Sequence, residues 1–173
     1  MKTFEILKAD LSDVTELAQI FLGHISQHSE YISHGEIQMG VGEGRFVDGT
    51  FVTNVAPNGE KMWIKYINEK LSSPESAVVY KAVRDGDIVG FCVTEITDDG
   101  ADPFGMICDV LVKEECRIGG IGTELINRAL EWLRQAGIKD VYLESGLHNH
   151  SAHEYFIRRG FKKVSEIYKL IEG

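Results

Sequence analysis

Between Phe104 and Ala136 the chain changes its hydrophobic period once, and the change falls on glycine. Residues 104–113 are apolar and rich in β-branched side chains, which reads as a strand. Residues 120–136 carry Ile121, Leu125, Ala129, Leu130 and Leu133 at three- and four-residue spacing, which reads as a helix with one buried face, closed by Gly137. The joint between them is Arg117-Ile118-Gly119-Gly120-Ile121-Gly122-Thr123. Glycines let backbone N–H groups approach a ligand with no Cβ in the way. At a helix start those N–H groups lack internal acceptors and share the positive end of the helix dipole, so the turn is suited to phosphate. Arg117 adds a positive charge beside it. A strand, anion-binding turn and helix in this order point to an α/β chain.

The remaining elements fit around that unit. Thr3 to Ala9 alternates as an opening strand, and Ser12 reads as the N-cap of a helix bearing Val14, Leu17, Ala18, Phe21 and Ile25. From about His28 to Gly59 no period holds, and glycines and aromatics intersperse as in a binding loop. Its Gly40-Val-Gly42-Glu-Gly44 run is not a phosphate motif, because no strand leads into it. Lys61 to Leu71 reads as a helix, and Ala77 to Arg84 and Ile88 to Ile96 as a hairpin about Asp85-Gly86-Asp87. Val141 to Glu144 reads as a short strand, Ser151 to Arg159 as a helix and Phe161 to Leu170 as a final strand. The predicted order is βααβββαβαβ: an α/β sandwich with a mixed sheet and helices on both faces, in one domain over residues 1–173.

Composition narrows the partners. A net charge of −9 argues against nucleic acid as the main partner and is compatible with a cationic one. No apolar run is long enough to span a bilayer, and the opening residues lack the apolar core of a signal peptide. Cys92, Cys108 and Cys116 form neither a metal spacing nor an even disulfide set, so a cytoplasmic location without metal is the expectation. Cys92 and Cys108 read as core residues.

Arg117-x-x-Gly120-x-Gly122 resembles the acyl-CoA diphosphate motif of the GNAT N-acetyltransferases, Gln/Arg-x-x-Gly-x-Gly/Ala. A second block, Asn149-x-x-Ala152-x-x-Tyr155-Phe156-x-x-x-Gly160-Phe161, is similar to that family's Asn-x-x-Ala-x-x-Phe-Tyr-x-x-x-Gly-Phe. Both blocks fall in the expected elements and order. A P-loop would need Lys-Ser/Thr after the last glycine, where Thr123-Glu124 stands, and a dinucleotide fold would place its turn after the first strand.

The resemblance implies a mixed, mostly antiparallel sheet of about six to seven strands with helices on both faces, splayed beside the glycine turn. It implies acetyl-CoA as co-substrate. The pantetheine arm would bond main-chain groups along Val110, Leu111 and Val112. Arg117 and the amides of Ile118, Gly119, Gly120, Ile121, Gly122 and Thr123 would hold the diphosphate. Asn149, Ala152 and Tyr155 would contact the cofactor from the following helix. The implied reaction is direct acetyl transfer to a primary amine (a small amine, an amino acid or peptide, or an antibiotic-like acceptor), with a homodimer allowed. Asp109 is the first candidate for the base, with Glu144 as another. Where the family carries a proton-donating Tyr this chain has Phe156; Tyr155 lies roughly 100° away round the helix, and His148, His150, His153 or solvent could donate instead. Phe156 also motivates the alternative of an acyl-CoA-binding or sensing protein that does not turn over.

Overall fold

The computed structural model describes residues 4–100 and 102–171. Of the predicted opening strand, Thr3 lies outside the described residues, and the strand is β1 (Glu5–Lys8). Asp10, not Ser12, provides the cap after β1: its carboxylate accepts from Ser12 N at 2.8 Å and closes a capping box with Asp13 over a short 3-10 turn. Helix α1 (Val14–Gln27) then begins, burying Val14, Leu17, Ala18, Phe21 and Ile25.

The stretch expected to be irregular is folded. Ser33 and Glu36 form a capping box that starts the short helix α2 (His34–Gln38). Strands β2 (Gly42–Val47) and β3 (Thr50–Val55) pair as a separate antiparallel hairpin. Asp48 and Gly49 both take positive φ at its turn, the geometry that Asp-Gly favours in a two-residue hairpin loop. Helix α3 (Gly59–Leu71) comes next, burying Trp63 and Ile67.

The central sheet has five strands rather than six or seven, in the order β1-β4-β5-β6-β7. Strands β4 (Ala77–Arg84), β5 (Asp87–Thr97) and β6 (Phe104–Val112) pair antiparallel, and β7 (Val141–Leu143) joins β6 in parallel. Helix α4 (Ile121–Gln135) crosses from β6 to β7, and α5 (His150–Arg158) comes after β7. The predicted last strand, Phe161 to Leu170, forms no ladder. Its apolar residues Val164, Ile167, Tyr168 and Leu170 do not alternate, so they define no single face to bury, and they stay exposed. Glu166 instead binds Lys163 and Tyr168 locally.

The sheet is covered on both sides. Phe91 and Val93 of β5 pack with Leu111 of β6 against α1 and α3, where Trp63 stacks on Phe21 at 4.7 Å between ring centres. Cys92, between them, faces the opposite side with Ile107 of β6, Ile121, Leu125 and Ala129 of α4, and Phe156 of α5. Cys92 is buried as expected, whereas Cys108 is only partly so. The hairpin is tied to the body at Gly59. A Cβ there would lie 2.5 Å from the Val41 carbonyl oxygen and 2.9 Å from Val55 Cγ1. Gly59→Ala is expected to destabilise the chain by about 1–3 kcal/mol through overpacking, despite the better helix propensity of alanine. Urea unfolding measures it; a midpoint equal to or above wild type would contradict this packing.

Candidate active site

The site is made by a change of register within β6. Val93 of β5 opposes Asp109, but the next residue, Thr94, opposes Ile107, so Cys108 is an extra residue without a partner. The insertion turns the strand over: Ile107 faces the α4 core and Leu111 the α1–α3 core, although they stand an even four positions apart. On its other edge β6 pairs with β7 only through Gly105–Val141, Met106–Tyr142 and Ile107–Leu143. Beyond Ile107 and Leu143 the two strands part. Between them lies a cavity of about 100 Å³, walled by residues 107–111 on one side and 143–146 on the other.

The open edge of β6 can be assigned residue by residue. Lys113 N donates to Val89 O at 2.9 Å, so Lys113 faces β5. Alternation along an antiparallel strand then turns Leu111 and Asp109 toward β5, and the N–H and C=O groups of Val110 and Val112 toward the gap. Arg117 supports this: its Nε donates to Val112 O at 3.1 Å. The motif arginine is therefore partly engaged, and its Nη1 also lies 3.6 Å from Glu114 Oε1.

The glycine turn continues from that edge. Gly119 and Gly120 take φ of 130° and 81°, in the region that side chains resist, and Ile118 is exposed. The first helical bond of α4 is Glu124 N to Gly120 O, at 2.9 Å. The amides of Ile121, Gly122 and Thr123 precede that bond and have no acceptor within the helix. Tyr155 borders this end: its hydroxyl is 3.2 Å from Thr123 Oγ1, and it does not line the cavity. Phe156, its neighbour, does. Asn149 and Ala152 line the cavity too, and Asn149 Oδ1 caps α5 by accepting from Ala152 N at 3.3 Å. His148 and His153 are held by backbone carbonyls, at 3.2 Å from Phe51 O and 2.9 Å from Gly146 O.

Asp109 stands in the cavity wall beside the register change, only 8% exposed. Tyr66 of α3 donates its hydroxyl to Asp109 Oδ2 at 2.9 Å. Burial raises the Asp109 carboxyl from the ordinary 3.8 to about 7; the charge of Glu36 adds to the rise, and Tyr66 and Lys70 oppose it. Tyr66 itself is pushed well above 10.0 by burial and by Asp109, so it stays a proton-bearing donor. Glu36 lines the same cavity from α2, and burial raises its carboxyl, with Glu144 contributing. Glu144, just past the end of β7 and exposed, accepts from Gly35 N at 2.7 Å and so clamps the first turn of α2 across the gap. The cavity wall thus carries three carboxylates, His24 and no lysine or arginine. Sequence reading brought Asp109, Glu144, Asn149, Ala152 and the Val110–Val112 strand to this place but missed Tyr66 and Glu36. Tyr66 sits at helical spacing among apolar residues and reads as core; Glu36 lay in the segment without a period. Among the described residues no group of His, Cys, Asp and Glu gathers as a metal site, and no helix is long and apolar enough to cross a membrane.

Comparison with known proteins bears on this arrangement. Residues 48–161 match the acetyltransferase (GNAT) family. The N-alpha-acetyltransferase MAK3 of Arabidopsis thaliana is 27% identical over 114 residues, a match covering 59% of this chain and 60% of that protein. The chain thus spans less than two thirds of this relative's length. Among solved structures, a GCN5-related N-acetyltransferase from Ralstonia eutropha superimposes with a TM-score of 0.70 at 15% identity, covering 98% of this chain and 99% of that one. The PaiA N-acetyltransferase of Thermoplasma acidophilum, solved in complex with coenzyme A, gives 0.68 at 16% identity, covering 92% and 89%. These structures share the fold. The family match takes in more than half of the chain, including the register change, the parted strands and the glycine turn, and the chain belongs to the acetyltransferase (GNAT) family.

Proposed function

We propose that the protein is an N-acetyltransferase that moves an acetyl group from acetyl-CoA directly to a primary amine bound in the same complex. The observation that carries this reading is the row of main-chain groups without a strand partner that runs from Val110 and Val112 to the α4 N-terminus, with Asp109 beside it and only the Val112 carbonyl engaged, by Arg117 Nε. Val110 and Val112 can hold an extended amide-bearing arm as a further strand would be held. The amides of Ile118 to Thr123 suit the diphosphate, and Tyr155, on Thr123, belongs with that end. Acetyl-CoA supplies the activated thioester.

The acceptor reaches the carbonyl through the side of the cavity bearing Asp109, Glu36 and Glu144. Carboxylates without basic partners in the wall favour a cationic amine there. Only a neutral amine is a nucleophile, and Asp109 is suited to take its proton because its carboxyl titrates near neutrality. Tyr66 fixes the carboxylate through Oδ2. The amine nitrogen then bonds the acetyl carbon, the carbon–sulfur bond breaks, and the sulfur leaves with the electron pair. Phe156 cannot protonate that sulfur, so the proton comes from water or from the acid formed at Asp109. Phe156 also favours a second reading, an acyl-CoA-binding protein without turnover.

Calorimetry with acetyl-CoA and thiol release across an amine panel separate the two. Binding with release on at least one amine supports the transferase, binding without release on any amine supports the sensor, and no binding contradicts both. Gly120→Asp puts an anion and a strained φ into the turn and is expected to weaken acetyl-CoA by about tenfold or more. Unchanged affinity would remove the diphosphate from this turn.

The protonation of Asp109 sets a pH dependence with a definite sign. Its ionised fraction falls below about pH 7, so kcat/KM is expected to drop as pH is lowered through that value. Asp109→Asn is expected to reduce kcat by about a hundredfold and to abolish that limb. A full-rate Asn variant would exclude Asp109 as the base. Stability is tied to the same shift: the folded carboxyl binds its proton more tightly than the unfolded one, so its contribution is present below 3.8 and lost as pH rises through about 7. The Asn variant lacks that loss.

A further inference from the structure

Arg84 ends β4, next to the Asp85-Gly86 turn and apart from both sequence blocks that mark the glycine turn and α5. Its Nε is buried and has no hydrogen-bond partner. Among the described residues its guanidinium also enters no ion pair. An arginine cannot relieve this by losing its proton. An unpartnered guanidinium, partly withdrawn from water, is a group prepared for an anion that arrives later.

The place to which it is turned is the glycine turn. A Cβ on Gly119 would lie 3.9 Å from Arg84 Nη2. Gly119 stands two residues before the open amides of Ile121, Gly122 and Thr123, in the part of the turn where Ile118 is 95% exposed. Arg117 is in a different state, donating to Val112 O at 3.1 Å and facing Glu114 at 3.6 Å. The arginine named by the motif is thus partly engaged by the protein, whereas Arg84, some thirty residues earlier in the chain, holds its charge unpaired beside the same turn.

We propose that Arg84 is a ligand of the acyl-CoA diphosphate, reaching the glycine turn from β4 and pairing with the phosphate oxygens that the α4 amides hold from the other side. This rests on the acyl-CoA reading above and adds to it a residue from outside its motifs. A guanidinium there supplies what the backbone cannot, a full positive charge against the two negative charges of a diphosphate. In its absence the backbone amides, the helix dipole and the partly engaged Arg117 carry the anion.

Calorimetry on the full chain tests this with three probes: CoA, dephospho-CoA (which lacks the ribose phosphate but keeps the diphosphate) and pantetheine, which has neither. Wild type is expected to bind CoA and dephospho-CoA better than pantetheine. Arg84→Ala is expected to shrink the advantage of dephospho-CoA over pantetheine by about tenfold or more, and Arg84→Lys to restore part of it. The melting temperature without ligand should not fall in Arg84→Ala, since the substitution removes a buried donor that has no partner. The rise on adding CoA should shrink. Arg84→Gln serves the same comparison if the alanine variant does not fold. An unchanged advantage overturns the proposal, and so does a loss seen with CoA but not with dephospho-CoA, which would move the contact to the ribose phosphate. Failure of wild type to bind any of the three would instead sink the acyl-CoA reading itself.

Discussion

One inserted residue in β6 governs the geometry of the site. At Cys108 the pairing with β5 slips by a position, and the strand continues with its faces exchanged. A strand that turns over in this way cannot keep two straight neighbours, and β7 stays with it only as far as Ile107 and Leu143. The gap that opens is lined on the β6 side by main-chain groups of Val110 and Val112. In an ordinary sheet interior such groups would be unpaired donors and acceptors, which a fold avoids. Here they face a cavity, and the same strand delivers the chain to the glycine turn and the N-terminus of α4. The open strand edge and the exposed amides of the glycine turn are consequences of the same backbone path.

The insertion also decides where charge is placed. By reversing the strand it brings Asp109 to the α1–α3 side, where Tyr66 meets it at 2.9 Å and water is largely excluded. A carboxyl in that position is raised toward neutrality by burial, then by Glu36. The opposing influences, the Tyr66 hydroxyl and Lys70, keep it from rising further; Lys70 is itself paired with Glu95. Three elements distant in sequence, α2, α3 and β6, thus meet at one titrating group. Glu144 fastens the arrangement by holding Gly35 from across the gap, and Gly146 packs against the Tyr31 carbonyl so closely that a Cβ would stand 2.6 Å away. One wall of the cavity is built from the connection after α1 and from α2, and the facing walls from β6 and the segment after β7.

The two halves were unequally legible in sequence. The strand, glycine turn and helix from Phe104 to Gln135 could be read almost to the residue, because period and glycine agree there. So could the hairpin of β4 and β5, signalled by Asp85-Gly86. The β2–β3 hairpin carries a comparable signal at Asp48-Gly49, but its strands are mostly exposed and contain Gly42 and Gly44, so no alternation marks them. The supposed last strand shows the opposite error: β-prone residues whose apolar positions do not alternate and so define no face to bury. The register change left no trace that could be read in advance, since Ile107 to Leu111 is an apolar run interrupted only by Asp109. Tyr66, Glu36 and Arg84 matter through contacts with residues far along the chain, and local pattern holds no record of those. The engagement of Arg117 by Val112 O depended on which way that carbonyl faces.

The central claim is that the Val110 and Val112 amides face an open gap and receive the acyl carrier there. Residue-resolved hydrogen exchange measures those two amides directly, with and without CoA. Without ligand they should exchange much faster than the Leu111 amide between them, which the register turns toward β5; with CoA bound, Val110 and Val112 should become protected while Leu111 changes little. Slow exchange at all three without ligand, or no gain of protection at Val110 and Val112 under conditions where CoA binds, would contradict the claim.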